Sequence, residues 1–135
     1  MTSRTVVVDH VLFVVDDLAA SRRLYTAALA PLGYAELFVK PDGLGYGVDD
    51  LDDFSISQGS PVTSAAHVAF DAPDRAAVDA FFEAATANGA TVRGEPGVWL
   101  RYSDRYYAAF VNDLHDNNVE AVWHAPEPVA NAPVR

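Results

Sequence analysis

The strongest constraint on this 135-residue chain is that it repeats itself. At an offset of 57, His10-Val11-Leu12-Phe13 falls on His67-Val68-Ala69-Phe70. Asp17 falls on Asp74, Tyr25 on Phe82, Ala19-Ala20 on Ala76-Ala77, and Ala27-Ala28 on Ala84-Ala85. Residues 10–28 give eight identities in 19 aligned positions without a gap. Alanine is frequent here, so the paired His, Phe, helix-capping Asp and helix aromatic carry the repeat. Self-similarity at this period means two copies of one supersecondary unit.

Each copy reads as β-α-β-β-β. In the first, residues 6–15 form a β-branched apolar run long enough for a central strand, with His10 in its middle. Alternation places His10, Leu12 and Val14 on one face. Asp16 or Asp17 suits a helix N-cap, and Leu18, Ser21, Leu24, Tyr25, Ala28 and Leu29 recur at helical spacing over 18–30. Pro31 and Gly33 end that helix. Strands follow at 34–39, 44–48 and 54–57, separated by Pro41-Asp42-Gly43 and by an acidic turn at 49–53. Gly59-Ser60-Pro61 marks the boundary between the halves.

The second copy opens with a strand at 65–70 carrying His67. Asp74 caps a helix over 75–88, with Val78, Phe81, Phe82 and Ala85 on one face and Gly89 at its end. A short strand at 91–93, a turn at 94–97 and a loop at 98–105 lead to a hairpin. Its strands are 106–111 and 119–124, joined by an Asn- and Asp-rich turn in which His115 is expected to be solvated. Residues 1–5 and 125–135 read as tails, the latter on the surface. The expectation is one α+β domain over 1–135, with module one at about 6–60 and module two at about 63–124. The two βαβββ modules would form a mixed sheet curved around a central cup.

Composition excludes several classes of function. The chain has no cysteine, so disulfides and thiolate metal sites are absent and any metal must use His, Asp or Glu. A net charge of −10 argues against nucleic acid and anionic membranes as partners. It would suit a cationic ligand, or serve solubility alone. The apolar run at 6–15 is broken by Asp9 and His10 and lacks a basic leader, so it reads as a strand and the expected location is cytoplasmic.

Glu120 is the residue that needs a reason. It lies in an otherwise apolar strand, and burying an unpaired carboxylate is expensive. A salt bridge, a metal or a water-filled cavity would each supply one. A pseudo-twofold axis between the modules would bring His10 and His67 from equivalent strands toward Glu120. Alternatively, each histidine is a hydrogen-bonded strand residue and no more. Asp113, Asn117 and Asn118 read as turn makers, and Tyr25 and Phe82 as core.

Three segments in order carry a resemblance to a known family. They are DHVLFVVDDLAASRRLYTAALAPLGY, HVAFDAPDRAAVDAFFEAATANGA and GEPGVWLRYSDRYYAAFVNDLHDNNVEAVWH. Over about residues 6–124 the chain resembles the vicinal-oxygen-chelate superfamily, the group of glyoxalases, bleomycin-resistance proteins and ring-cleaving dioxygenases. It is most similar to the small single-domain bacterial glyoxalase-like members. The resemblance implies metal ligands at His10, His67 and Glu120, with Glu120 also catalytic. The ion would be divalent Fe, Mn, Zn, Ni or Co. A fourth family ligand would fall among residues 54–57, where Ser55 and Ser57 are poor ligands. Trp99, Tyr102, Tyr107, His124 and Ser57 become candidates for contact with a small substrate bearing vicinal oxygens. The implied activity is of lyase, isomerase or dioxygenase type, in a homodimer. The alternative is a metal-free protein that sequesters a cationic drug or metabolite.

Overall fold

The structure, a computed structural model, describes residues 6–135; the expected tail at 1–5 lies outside the described residues. Both copies fold as the repeat requires. Module one is β1 (Val11–Val15), α1 (Leu18–Leu29), a 3-10 turn (Ala30–Leu32), β2 (Ala35–Lys40), β3 (Gly43–Val48) and β4 (Leu51–Gln58). Module two is β5 (His67–Asp71), α2 (Arg75–Ala87), β6 (Thr91–Val98), β7 (Tyr106–Asn112) and β8 (Asn118–His124). The predicted caps hold: Asp17 accepts from the Ala20 amide and Asp74 from the Ala77 amide.

The strands form two four-stranded mixed sheets with equivalent topology. The orders are β1-β4-β3-β2 and β5-β8-β7-β6, and β1–β4 and β5–β8 are the parallel pairs. Helix α1 packs on β2 and β4, α2 packs on β6, β7 and β8, and the helices pack on each other. The helices therefore lie between the sheets. Phe13, Tyr25, Phe54, Ile56, Phe70, Val78 and Phe81 fill this layer, with Phe54 edge-on to Phe70 at 5.2 Å across the module boundary. The opposite face of each sheet points away from this core.

Three boundaries differ from the sequence reading. Strand β1 begins at Val11 because its neighbour β4 first pairs there with Phe54. His10 thus precedes the strand instead of sitting in its middle, and Val6, Val7 and Val8 are exposed. Strand β6 runs through the expected turn at 94–97, taking up its irregular residues as register shifts at Gly94 and Gly97. Pro96 is tolerated because β6 is an edge strand. Strand β4 starts at Leu51, so the acidic turn tightens to residues 49 and 50. Gly47 makes that reversal possible, since a Cβ there would lie 1.8 Å from the Leu51 carbonyl oxygen.

The segment 125–135 is no loose surface tail. It folds back along β6, where Val98 donates to the Pro133 carbonyl and Arg135 donates to the Val98 carbonyl, both at 2.8 Å. Arg75 holds the Ala130 and Asn131 carbonyls, and Val129 and Ala132 pack on the core. The β7–β8 turn is also structural. Asp113 accepts from Tyr25 Oη at 2.5 Å and from the His115 and Asn117 amides. Asn117 Nδ2 adds bonds to Asp113 and to the Thr63 carbonyl, and its Oδ1 accepts from the Ala66 amide. His115, expected in solvent, is a tenth exposed and sits 2.7 Å from Asp16. This knot fastens module two's turn to α1 and to the linker.

Candidate functional site

Glu120 lies on the outward face of the second sheet and is 1% exposed. Strand alternation puts it beside Val122 and Asn118, and the ladder sets it opposite Phe110 and next to Ala69. That face is sealed by a small apolar cluster of Ala108, Phe110 and Val122, with Trp99 and Tyr106 packed against it. Trp99 is placed by its indole N–H, which donates to the Ala108 carbonyl at 2.9 Å, and by an edge-on contact with Phe110. Cross-strand packing thus desolvates the carboxylate before any ligand arrives.

Two side chains compensate for that desolvation. His67 Nε2 lies 2.8 Å from Glu120 Oε1, and the Tyr106 hydroxyl donates to Oε2. His67 is half exposed, so the pair opens to solvent on the histidine side. Burial, then the bond to Glu120, pushes the Tyr106 phenol well above its usual range, so it stays a donor. Tyr102 lies tilted against Tyr106 at 4.6 Å, and the exposed His124 meets Tyr106 edge-on at 5.3 Å. Asn118 Oδ1 is buried without a hydrogen-bond partner. An orphan acceptor on the Glu120 face, across the ladder from His67, fits a bound water or ligand group there.

The structure therefore gathers His67, Glu120, Tyr102, Tyr106, His124 and Trp99 on one face. It does not bring His10 to them. His10 stands on module one with its ring exposed and its Nδ1 2.8 Å from Asp9, whose hydrogen bond raises the imidazole pKa. Tyr107 is also elsewhere. It points to the helix side, where its hydroxyl donates to Asp79 at 2.6 Å and Arg75 covers its ring. Odd and even residues of a strand face opposite ways, so Tyr106 and Tyr107 cannot share a pocket. Tyr106 was the residue that sequence reasoning missed as a partner of Glu120. Its cross-strand pairing with His124 was the available signal.

Register also settles which residue of module one corresponds to Glu120. Ala69 pairs with Glu120, and Leu12, its repeat counterpart, pairs with Ser55. Ser55 is thus the equivalent position, and Ser57 lies one pair further along the same face. At the Glu120 position the outward face of module one carries Ser55, with Leu12 and Ser57 beside it and no shielding aromatics, and Asp52 stands on the same face next to Gly45.

A divalent ion needs at least three protein donors to be held as the sequence suggests. Among the described residues no group of three His, Asp or Glu converges. His67 and Glu120 fit two positions of such a site, and the orphan Asn118 oxygen suits a bound water beside them. These are two of the three donors that the resemblance implies, and His10 does not join them within one chain.

Neither the models of known protein families nor the curated proteins give a match to this sequence. Solved structures do. A glyoxalase/bleomycin resistance protein from Albidiferax ferrireducens is 28% identical over 85% of this chain and 96% of that one, with a TM-score of 0.74. A glyoxalase/bleomycin resistance protein/dioxygenase family enzyme from Burkholderia phytofirmans is 18% identical, covering 87% and 98%, at a TM-score of 0.66. The fosfomycin resistance protein FosX from Mesorhizobium loti is 20% identical, covering 93% and 96%, at 0.61. The last two show the fold. The repeated βαβββ modules, the equivalent sheet orders and these neighbours place the chain in the vicinal-oxygen-chelate superfamily.

Proposed function

We propose that this protein is a divalent-metal-dependent enzyme of its superfamily, acting on a small substrate with vicinal oxygens, and that its site is shared between two copies of the chain. The observation that carries this reading is the pairing of His67 with a carboxylate that is otherwise sealed from water. A buried Glu that only stabilised the fold would be better replaced by an apolar residue. Here it is held at one oxygen by Tyr106 and aimed with the other at a half-exposed imidazole.

Completion of the donor set by a second copy is supported by the two sheet edges. Among the described residues, β1 and β5 each pair with a strand on one side alone. Thr63 caps the edge at Val14, but Leu12 is 51% exposed, and Val6, Val7 and Val8, also exposed, line a cavity with Val68, Ala69 and Phe70 of β5. Unpaired apolar edges are templates for another chain. Setting β1 of one copy beside β5 of the other would carry His10 to the partner's His67 and Glu120, with two such sites per twofold dimer.

The residues then divide the work as follows. His67 and Glu120 of one copy and His10 of the other would hold the ion, which supplies Lewis-acid polarisation of paired substrate oxygens. Tyr106 fixes the rotamer of Glu120 and keeps Oε2 occupied. Glu120 is the group that can exchange a proton with substrate. Trp99, Tyr102 and His124 wall the site and exclude water. Ser57 would contribute from the facing module. In the alternative reading, a metal-free protein binds a cationic guest at this face. The apolar shield and the net charge of −10 suit it, but a half-exposed His set on the carboxylate does not.

Elemental analysis of the protein purified with metals available tests the reading, with Glu120→Ala beside it. The expected result is about one ion per chain in the wild type and none in the variant. Equal metal content in both, or none in the wild type together with no thermal stabilisation by Mn²⁺, Fe²⁺, Ni²⁺ or Zn²⁺, overturns it.

A further inference from the structure

Module one carries a groove of about 760 Å³, on the α1 and β2 side and remote from Glu120. Its size falls within the range of small-molecule sites. Its walls hold Arg22, Arg23 and Lys40, which are three of the chain's nine Lys and Arg residues. Of the 19 Asp and Glu residues, Glu36 alone lines it. The charge of the lining is therefore opposite in sign to that of the whole chain.

The cations are not all spent on one another's neighbours. Glu36 accepts two bonds from Arg22, at 2.8 Å from Nε and 2.7 Å from Nη2, and a third from Thr26. This fixes the guanidinium plane against β2 and leaves Nη1 directed elsewhere. Arg23 and Lys40 are exposed and form no ion pair or side-chain hydrogen bond among the described residues. Leu18 and Pro41 add apolar wall, and Gln58 and, from module two, Asn88 add amides. An arginine already oriented, two uncommitted cations and an apolar floor match an anionic head on an apolar body.

We propose that this groove binds a small organic anion, with a phosphate or carboxylate head between Arg22, Arg23 and Lys40 and its apolar part along Leu18 and Pro41. The site is independent of the metal reading, since it shares no residue with it. None of its lining residues belongs to β1 or β5, the strands through which the proposed dimer would form.

The test is titration of the isotope-labelled full chain with phenyl phosphate, benzoate and phenol, followed by amide chemical shifts. Saturable shifts centred on Arg22, Arg23, Thr26 and Lys40 are expected with either anion, and none with neutral phenol. The double variant Arg23→Ala/Lys40→Ala, altered at two exposed positions, should bind about tenfold more weakly with its remaining spectrum unchanged. Stronger binding of phenyl phosphate than of benzoate assigns the head as phosphate, and the reverse order assigns it as carboxylate. Shifts that do not saturate, that spread to Arg101 and Arg105, or that are identical in the double variant overturn the proposal.

Discussion

The two modules share a fold and differ in what they do with the outward face of the sheet. In module two that face is covered. Phe110, Trp99, Val122 and Tyr106 bury Glu120, and the half-exposed His67 stands on the remaining side. In module one the equivalent of Glu120 is Ser55, the equivalent of His67 is an exposed His10, and Leu12 stands uncovered. A Cβ at Gly45 would meet the Asp52 side chain at 2.6 Å, so β3 presents backbone instead of side chains on its crowded side. The difference teaches that a duplicated unit need not duplicate a site. One copy buries a carboxylate beside a histidine, and the other leaves the equivalent position to a serine. Both keep the same helix-side core, because that is where the modules hold each other.

The largest effect is expected where the modules are joined. Asp113→Ala leaves the Tyr25 hydroxyl and the Asn117 amide groups buried without their acceptor. A loss of about 3–5 kcal/mol in chemical denaturation is expected, as for removal of one partner from a buried network. A loss below about 1 kcal/mol would mean that the turn does not hold the modules together.

Next comes the covered face. Tyr106→Phe keeps the ring and removes the one donor to Glu120 Oε2 among the described residues, and should cost about 1–3 kcal/mol. The same variant sharpens the comparison when set beside Ser55→Glu. A carboxylate on the open face of module one remains solvated and should cost less than about 1 kcal/mol. If Ser55→Glu proves as costly as Tyr106→Phe, the two faces are not as different as their burial implies.

The smallest effect is at Glu36. Arg22 beside it, helped by Thr26, holds its carboxyl down to about 2, against 4.5 as its ordinary value. The pair's contribution is present above about pH 4.5 and is lost as the pH falls toward 2. Glu36→Gln should therefore lower stability at neutral pH by about 0.5–1 kcal/mol, because the arginine is well exposed, and should converge with the wild type near pH 2. Parallel stability curves for the two proteins would contradict this assignment.

Much of this was legible in the sequence. The repeat alone gave two βαβββ units, both helix caps and the helix-side core from Tyr25 to Phe81, since local period and capping chemistry are encoded residue by residue. That His67 and Glu120 belong together was legible because both are polar side chains in apolar strands and the family resemblance implied them as a set. The position of His10 was not. Its strand is set by where β4 begins to pair, which is a tertiary fact. Nor could periodicity show that the Asp113–Asn117 turn is a buried knot or that residues 125–135 dock on β6, because both depend on contacts between distant segments. Tyr107 was misplaced by treating a cluster of aromatics as one surface, when alternation sends adjacent strand residues to opposite faces.

The shared site is tested most directly by complementation. His10→Ala and Glu120→Ala chains are purified separately, stripped of metal, mixed, allowed to exchange subunits and analysed for bound metal. Each variant alone should hold none. If the site is built from two copies, the mixture regains metal, because the mixed dimer pairs the intact His10 of one chain with the intact His67 and Glu120 of the other. If the mixture stays as empty as its parts while the wild type is loaded, or if His10→Ala alone retains full metal, the two modules do not share a site across chains.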